Sequence, residues 1–184
     1  MQTTAKTISK PKYNSKTLAL TAMFAALVTV TTAFIKIPAP LGYAHAGDSV
    51  IYLAACALPS PLGFIAAAIG GALADLISGY AVWSIPTAII KALNGLPFVL
   101  VRIFLKSKNK DDKILRLGTI LALIPTTAVT IGGYFIANQL LYDTSAAVAE
   151  IPFNLVQSAV GAALFIALGL ALDAVRFKQR LINI

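Results

Sequence analysis

Six apolar segments, separated by short polar breaks, constrain this chain more than any other feature of its sequence. They cover approximately residues 17–35, 46–59, 61–79, 84–105, 115–141 and 151–172. A helix needs about 20 apolar residues to cross a hydrocarbon core of about 30 Å, and all but the second segment approach that length. Because 58% of the 184 residues are hydrophobic and only 12% are charged, a soluble domain of this size could not bury the apolar surface. The sequence therefore predicts an all-α, polytopic membrane protein.

Basic residues mark the ends of these segments. Thirteen of the fifteen lie in three clusters, which are Lys6, Lys10, Lys12 and Lys16; Arg102, Lys106, Lys108, Lys110, Lys113 and Arg116; and Arg176, Lys178 and Arg180. The positive-inside rule places such clusters in the cytoplasm, beside anionic lipid. The first two clusters share a side only if an even number of crossings separates them, so the short segment 46–59 must also span. The prediction is a single bundle of six transmembrane helices with both termini cytoplasmic.

The predicted organisation has three parts. Residues 1–16 form a polar cytoplasmic tail, 17–176 the six-helix membrane domain and 177–184 a basic cytoplasmic tail. The first apolar segment lacks a small-residue cleavage site, so it is interpreted as retained. Residues 36–47, 80–83 and 142–150 become external loops, and Pro59-Ser60-Pro61 makes a tight turn between the second and third helices.

Polar residues within the membrane domain concentrate near its external side. Lys91 lies seven residues into the fourth segment, about 10 Å below the outer boundary. Thr87 and Asn94 share its helix face, because i, i+4 and i+7 positions align. The inner halves of the segments are almost wholly apolar, so this pattern predicts an outward-facing basin for a ligand without a polar path to the cytoplasm. The predicted site residues are His45, Asp48, Trp83, Thr87, Lys91, Asn94, Tyr134, Asn138, Asn154 and Gln157.

Each of these residues also has a structural explanation. A buried Lys91 needs a partner, and either Asp75 or Asp48 could form an ion pair with it, with or without a ligand contact. Helical amides often only join neighbouring helices, and Trp83 suits an aromatic belt at the membrane surface. His45 and Asp48 are too few ligands for a metal site, so none is predicted. Cys56 has no second cysteine to pair with.

Small residues recur at four-residue spacing in two segments. Gly63, Ala67, Gly71, Asp75 and Gly79 form one such row, which indicates close helix packing. Ala22 and Ala26 repeat the spacing in the first segment, where internal packing and docking of another membrane subunit both remain open.

The chain resembles the substrate-binding S components of energy-coupling-factor (ECF) vitamin transporters. The resemblance runs through "LALTAMFAAL", "YAHAGDSVIYLAA", "PLGFIAAAIGGALADLISGYAVWSIPTAIIKAL" and "EIPFNLVQSAVGAAL", and is closest to the riboflavin, hydroxymethylpyrimidine and pyridoxine branch. It implies a six-helix protein of the bacterial plasma membrane that captures a vitamin outside the cell. It also implies partnership with a transmembrane coupling subunit and two cytoplasmic ATPase subunits, which use the ATP, while this chain binds no cofactor of its own.

The resemblance further implies roles for particular residues. Ala22 and Ala26 match the alanine-x-x-x-alanine pattern that contacts the coupling subunit. The ligand would be held by the loop between the first two helices and the outer parts of helices four to six, which contain the predicted site residues. The opening Met1-Gln2-Thr3 lacks the N-terminal histidine of the cobalt and nickel members.

Two other functional classes compete with this interpretation. A membrane enzyme is disfavoured because Gly-x-Ser-x-Gly and His-Glu-x-x-His motifs are absent. A stand-alone secondary transporter or channel is the alternative, although it would need polar residues through both halves of the bilayer. Among vitamins, hydroxymethylpyrimidine or pyridoxine is expected ahead of riboflavin, whose larger ring would need more aromatic surface.

Overall fold

The computed structural model describes residues 14–108 and 110–182. Lys6, Lys10, Lys12 and the opening tripeptide, as well as the last two residues, lie outside this range. The elements in chain order are α1 (Ser15–Phe34), β1 (Lys36–Ala39), β2 (Gly42–His45), α2 (Asp48–Ala57), α3 (Leu62–Ile77), a 3₁₀ turn (Ala81–Trp83), α4 (Ser84–Asn94), α5 (Leu96–Ser107), α6 (Leu117–Leu121), α7 (Leu123–Leu141), α8 (Thr144–Ala174) and α9 (Phe177–Ile182).

The helices confirm the predicted class of membrane protein. Four stretches are long and apolar enough to cross a bilayer, namely Ser15–Phe34, Ala81–Ser107, Leu117–Leu141 and Thr144–Ala174. Large apolar side chains such as Ile85, Ile124 and Leu140 are more than two-thirds exposed. Such a surface would drive association in water but meets no penalty in lipid. Because α2 has 10 residues and α3 has 16, the count of six crossings stays a prediction.

The structure adds local order to two predicted loops. Residues 36–45 form an antiparallel β-hairpin, with Lys36 paired to His45 and Ala39 to Gly42, which the sequence analysis did not anticipate in an all-α protein. The predicted loop 142–150 is mostly the first two turns of α8. Asp143 caps that helix, since its Oδ1 accepts a hydrogen bond from the backbone N–H of Ala146 at 2.8 Å.

Helix α2 forms the centre of the bundle. All nine residues from Asp48 to Cys56 are buried, and Tyr52 stacks on Phe98 with ring centroids 4.9 Å apart. Around it, α1 packs tightly on α3, because a Cβ at Gly70 would lie only 2.6 Å from the Val28 Cβ. In the predicted row of small residues, a Cβ at Gly63 would lie 3.1 Å from the Ala55 Cα of α2, and one at Gly71 would lie 3.1 Å from the Lys91 Cγ of α4. These two positions of α3 therefore serve internal packing, as their spacing predicted.

The predicted basic cluster at 102–116 is tied to the end of the bundle opposite the hairpin. Arg102 donates from Nη1 to the carbonyl oxygens of Ala55 at 2.8 Å and Leu58 at 2.6 Å. Asp111 accepts from both Arg102 and Lys178, so the beginning of α9 joins the same network. These bonds satisfy buried carbonyl groups at the C-terminal end of α2, where the helix itself supplies no N–H partner.

Candidate ligand-binding site

A cavity lies where the hairpin meets α3, α4, α7 and α8. Residues 150, 154 and 157 of α8 contribute one wall, because i, i+4 and i+7 positions share a helix face. The lining residues are Leu41, Gly42, Tyr43, His45, Asp75, Tyr80, Trp83, Thr87, Tyr134, Asn138, Glu150, Asn154 and Gln157.

The structure brings together seven of the ten predicted site residues. These are His45, Trp83, Thr87, Tyr134, Asn138, Asn154 and Gln157, all of which line the cavity. The other three, Asp48, Lys91 and Asn94, have no solvent-exposed surface and are not among its lining residues.

Asp48 and Lys91 form an ion pair behind the cavity wall. The Nζ of Lys91 lies 2.6 Å from Oδ1 of Asp48, and Gln157 donates from Nε2 to Oδ2 at 3.0 Å. Of the two acids that the sequence offered as partners for Lys91, the structure selects Asp48. Gly161 permits this approach of α2 to α8, because a Cβ there would lie 2.9 Å from the Asp48 Cβ. Each buried charge is thereby compensated.

Asn94 connects α4 to α7 beneath the ion pair. Its Nδ2 donates to the Thr130 hydroxyl at 3.0 Å, and its backbone carbonyl accepts from the Thr126 hydroxyl at 3.1 Å. The helix is interrupted directly after Asn94, where Gly95 is the N-cap of α5 and Pro97 is the second residue of that helix. The contacts of Asn94 are thus those of an amide that joins neighbouring helices.

The β-hairpin covers the cavity and is bonded to the helices around it. The backbone N–H of Leu41 donates to Glu150 Oε1 at 2.7 Å, and the Tyr43 hydroxyl donates to Asp75 Oδ1 at 2.7 Å. Lys36 reaches Ser78 with a 2.7 Å bond. Burial and the bond to Asp75 raise the pKa of Tyr43 well above its ordinary value, so it stays a donor.

His45 presents a neutral imidazole to the cavity. Its Nδ1 accepts a hydrogen bond from the backbone N–H of Gly47 at 3.1 Å, so Nε2 carries the proton. Burial, followed by the positive charge of Lys91, lowers the pKa of His45 to about 3. Within residues 14–108 and 110–182, no three His, Cys, Asp or Glu side chains are grouped as a metal ion would require.

Four aromatic side chains line the cavity, of which the sequence analysis had assigned only Trp83 and Tyr134 to the site. Tyr43 and Tyr80 are the additions, with ring centroids 5.3 Å apart. Gly79 has φ of +85° and ends α3 in a left-handed turn, in which Tyr80 N–H donates to Asp75 O at 2.8 Å. Tyr43 precedes His45 by two positions, and strand residues at that spacing share a face. Because the sequence predicted a loop at these positions, this relation became visible only with the hairpin.

Comparison with known proteins places the chain in a family. The family model described as "ECF-type riboflavin transporter, S component" matches residues 12–174. The chain is an S component of this family. It is also 39% identical over 136 residues to the "uncharacterized protein in gap 3′ region" of Pyrococcus woesei, covering 73% of this chain and 86% of that relative.

Membership confirms the resemblance that the sequence motifs indicated. S components are membrane transport proteins of vitamin uptake rather than enzymes, and they associate with an ECF transmembrane and ATPase module. This S component is accordingly a multi-pass membrane protein with a substrate-binding role.

The first helix of the S component leaves its predicted docking residues uncovered. Ala22 and Ala26 are both exposed, whereas Thr21, Ala25 and Val28 of the same helix are buried against the bundle. Internal packing therefore does not explain the Ala22 and Ala26 spacing within the part of the chain that the structure describes.

Proposed function

We propose that this S component captures a small water-soluble vitamin from outside the cell in the hairpin-covered cavity. It then delivers the vitamin to an ATP-driven energy-coupling module. The observation that carries the proposal is the cavity itself, in which polar amides and four aromatic rings converge under a cover bonded to the helices. Concave, mostly pre-formed sites with a few placed polar groups are typical of small-molecule binding.

The ligand is proposed to be a flat heteroaromatic vitamin. Hydroxymethylpyrimidine and pyridoxine are favoured by the sequence, because their small rings need little aromatic surface. The second candidate is riboflavin, which the family description names. Tyr43 and Tyr80 raise the number of aromatic side chains assigned to the cavity from two to four. Riboflavin was ranked lower because its larger ring needs more aromatic surface, and that reason is now weaker.

The proposed topology has six crossings of the plasma membrane, with both ends of the chain in the cytoplasm. Helix α2 is only about 15 Å long at 1.5 Å per residue, which is half of a hydrocarbon core. A helix enclosed by protein does not need to match the lipid thickness, because its ends are satisfied by side chains rather than water. Asp48 at one end contacts Lys91, and Leu58 at the other accepts from Arg102 of the basic cluster, which supports a crossing.

The proposed partners are a transmembrane coupling subunit and two cytoplasmic ATPase subunits. Ala22 and Ala26 would dock the coupling subunit, since their exposed small side chains allow another helix to approach closely. The delivery step would then depend on this contact and on ATP hydrolysis in the partner subunits.

Native mass spectrometry of the detergent-purified protein tests the proposal. We expect hydroxymethylpyrimidine, pyridoxine or riboflavin to co-purify, or to bind when added.

Asn138→Ala should weaken binding about tenfold, in line with the cost of one lost buried hydrogen bond. Gln139→Ala, which removes an exposed neighbouring amide, should leave binding unchanged. If purified protein in liposomes, without partners, accumulates the vitamin against a gradient, the secondary-transporter alternative is correct instead.

A further inference from the structure

Three buried polar atoms on cavity-lining residues have no hydrogen-bond partner within the described residues. They are Asn138 Oδ1, Asp75 Oδ2 and Trp83 Nε1. We propose that these atoms select an uncharged or cationic vitamin that donates to Asp75 and Asn138, accepts from Trp83, and is rejected in phosphorylated or carboxylated form. The inference rests on the proposed function and specifies the chemistry of its ligand.

The orientation of Asn138 is set by its other amide atom. Nδ2 donates to the backbone carbonyl of Tyr134 at 2.9 Å, and the reverse orientation would place two oxygens together. Oδ1 is therefore turned away from that carbonyl, on a side chain that is only 1% exposed. A buried acceptor without a partner is unfavourable, and a ligand donor at this position would satisfy it.

Asp75 of α3 and Trp83 of the 3₁₀ turn contribute the other two unpaired atoms. Tyr43 occupies Oδ1 of Asp75, and Oδ2 is left as an acceptor on a side chain that is 5% exposed. The indole of Trp83, 7% exposed, can only donate through Nε1. A ligand that satisfies all three atoms carries two donors, such as hydroxyl or ring N–H groups, and one acceptor, such as a ring nitrogen or carbonyl.

The charges around the cavity oppose an anion. Among the thirteen lining residues only Asp75 and Glu150 carry charge, and both are acidic. Lys91 lies behind Tyr134, with Nζ 5.2 Å from the ring centroid, and is already paired with Asp48. His45 is uncharged near neutral pH because its pKa is lowered to about 3. Lys36 lies on the outer side of the hairpin residue Tyr43, with Nζ 4.2 Å from the ring centroid, but it is exposed to solvent and does not line the cavity. A phosphate or carboxylate would therefore lose its water and meet two carboxylates with no cation in the cavity wall.

Matched pairs of ligands test the inference. Isothermal titration of the purified protein would compare riboflavin with its 5′-phosphate, and pyridoxine with its 5′-phosphate. We expect the free vitamin of the binding pair to bind at least about 100-fold more tightly than the phosphate ester, because like charges in one interface cost several kcal/mol. The acetate ester at the same hydroxyl adds bulk without charge and should bind more tightly than the phosphate ester.

Two variants test whether the discrimination between the free vitamin and its phosphate ester arises in the cavity. Asp75→Asn should lower the ratio of phosphate-ester to vitamin dissociation constants at least severalfold, because it removes one opposing charge. Asp143→Asn, at an exposed helix cap outside the cavity, should leave the ratio unchanged. Thermal unfolding confirms that each variant is folded, and the wild-type ratio stands as a test if Asp75→Asn does not fold.

The possible failures are distinct. Equal binding of vitamin and phosphate ester, or equal weakening by the acetate and phosphate esters, overturns the inference while the proposed function stands. Folded protein that binds no vitamin in either form overturns the proposed function, and the inference fails with it.

Discussion

Lys91 and Asp48 are charged side chains whose burial carries a large desolvation cost. Both are fully buried, and Nζ of Lys91 lies only 2.6 Å from Oδ1 of Asp48. Neither contacts the cavity directly, but Gln157 bonds to Asp48 and also lines the cavity. The ion pair thus orients a cavity residue. This explains why scarce charges occur so near the site while remaining inaccessible to a ligand.

Removing one member of the pair should destabilise the protein more than removing both. Lys91→Met leaves the Asp48 carboxylate buried without its cation and should cost about 3–5 kcal/mol. The double variant Lys91→Met/Asp48→Asn should recover much of that loss, because an amide can still bond to Gln157. Unfolding in detergent would measure both, and a single variant as stable as the wild type would contradict the assignment.

His45 should make folding sensitive to acid. Its pKa is about 3 in the folded protein and ordinarily about 6.5, so the unfolded chain binds the extra proton between these values. The free energy of unfolding is therefore undiminished above pH 6.5 and falls as the pH drops toward 3. At pH 5.5 the loss should reach about 1.4 kcal/mol.

His45→Asn supplies the matched comparison for this pH effect. The asparagine Oδ1 can replace Nδ1 as acceptor for the Gly47 N–H, but the side chain does not titrate. Lys91, Asp48 and Lys36, the charged groups that act on His45, stay in place. Unfolding curves at pH 7.5 and 5.5 should show a smaller loss for the variant, and an identical loss would exclude His45 as the source.

The elements meet at positions that only small residues permit. Gly161 of α8 faces Asp48 of α2, Gly71 of α3 faces Lys91, and Gly70 faces α1. The four-residue spacing predicted close packing of α3, and the structure confirms it. The hairpin was not foreseen because residues 36–45 contain two prolines and one glycine among few alternating apolar positions, which is typical of a loop.

Gly161→Ala should separate α2 from α8 at the cavity. The added Cβ would lie 2.9 Å from the Asp48 Cβ, on the rigid first turn of a buried helix. We expect a loss of about 1–3 kcal/mol in stability from overpacking, together with weaker vitamin binding as Gln157 loses its contact. Gly132→Ala is the control, because nothing lies within 4 Å of its Cβ position. Equal behaviour of the two variants in unfolding and titration would contradict this explanation.

The whole molecule divides into a site at one end and a basic network at the other. The hairpin closes the first end, and Arg102, Asp111 and Lys178 bind the elements of the second. The long helices between them expose apolar side chains around the perimeter, as a protein surrounded by lipid must. At Ala22 and Ala26 the side chains on this perimeter are small rather than large.

Bulk at Ala22 should block assembly without affecting capture. Ala22→Trp fills the exposed small-residue surface of α1, so co-purification with the coupling module should be lost while vitamin affinity is retained. Ala163→Trp, at an exposed alanine on α8, should assemble normally. Assembly of the Ala22 variant at wild-type levels would show that the coupling subunit docks elsewhere.

The six-crossing topology predicts labelling from opposite sides. In a Cys56→Ala background, Ser145→Cys should react with an impermeant thiol reagent added outside the cell, and Lys110→Cys should react only after permeabilisation. Both positions are exposed, so access to each depends on the side of the membrane. Labelling of both from outside would contradict a single crossing, by residues 117–141, between positions 110 and 145.

Hydropathy, charge position and helix spacing predicted the membrane class, the helical segments and seven residues of the cavity, because these depend on local composition and period. The fold alone paired Lys91 with Asp48, placed Asn94 against Thr130, and brought Tyr43, Tyr80 and Glu150 into the cavity. Those contacts join residues that lie up to 109 positions apart, as between Leu41 and Glu150. They depend on how helices are rotated and spaced in three dimensions, which no local pattern specifies.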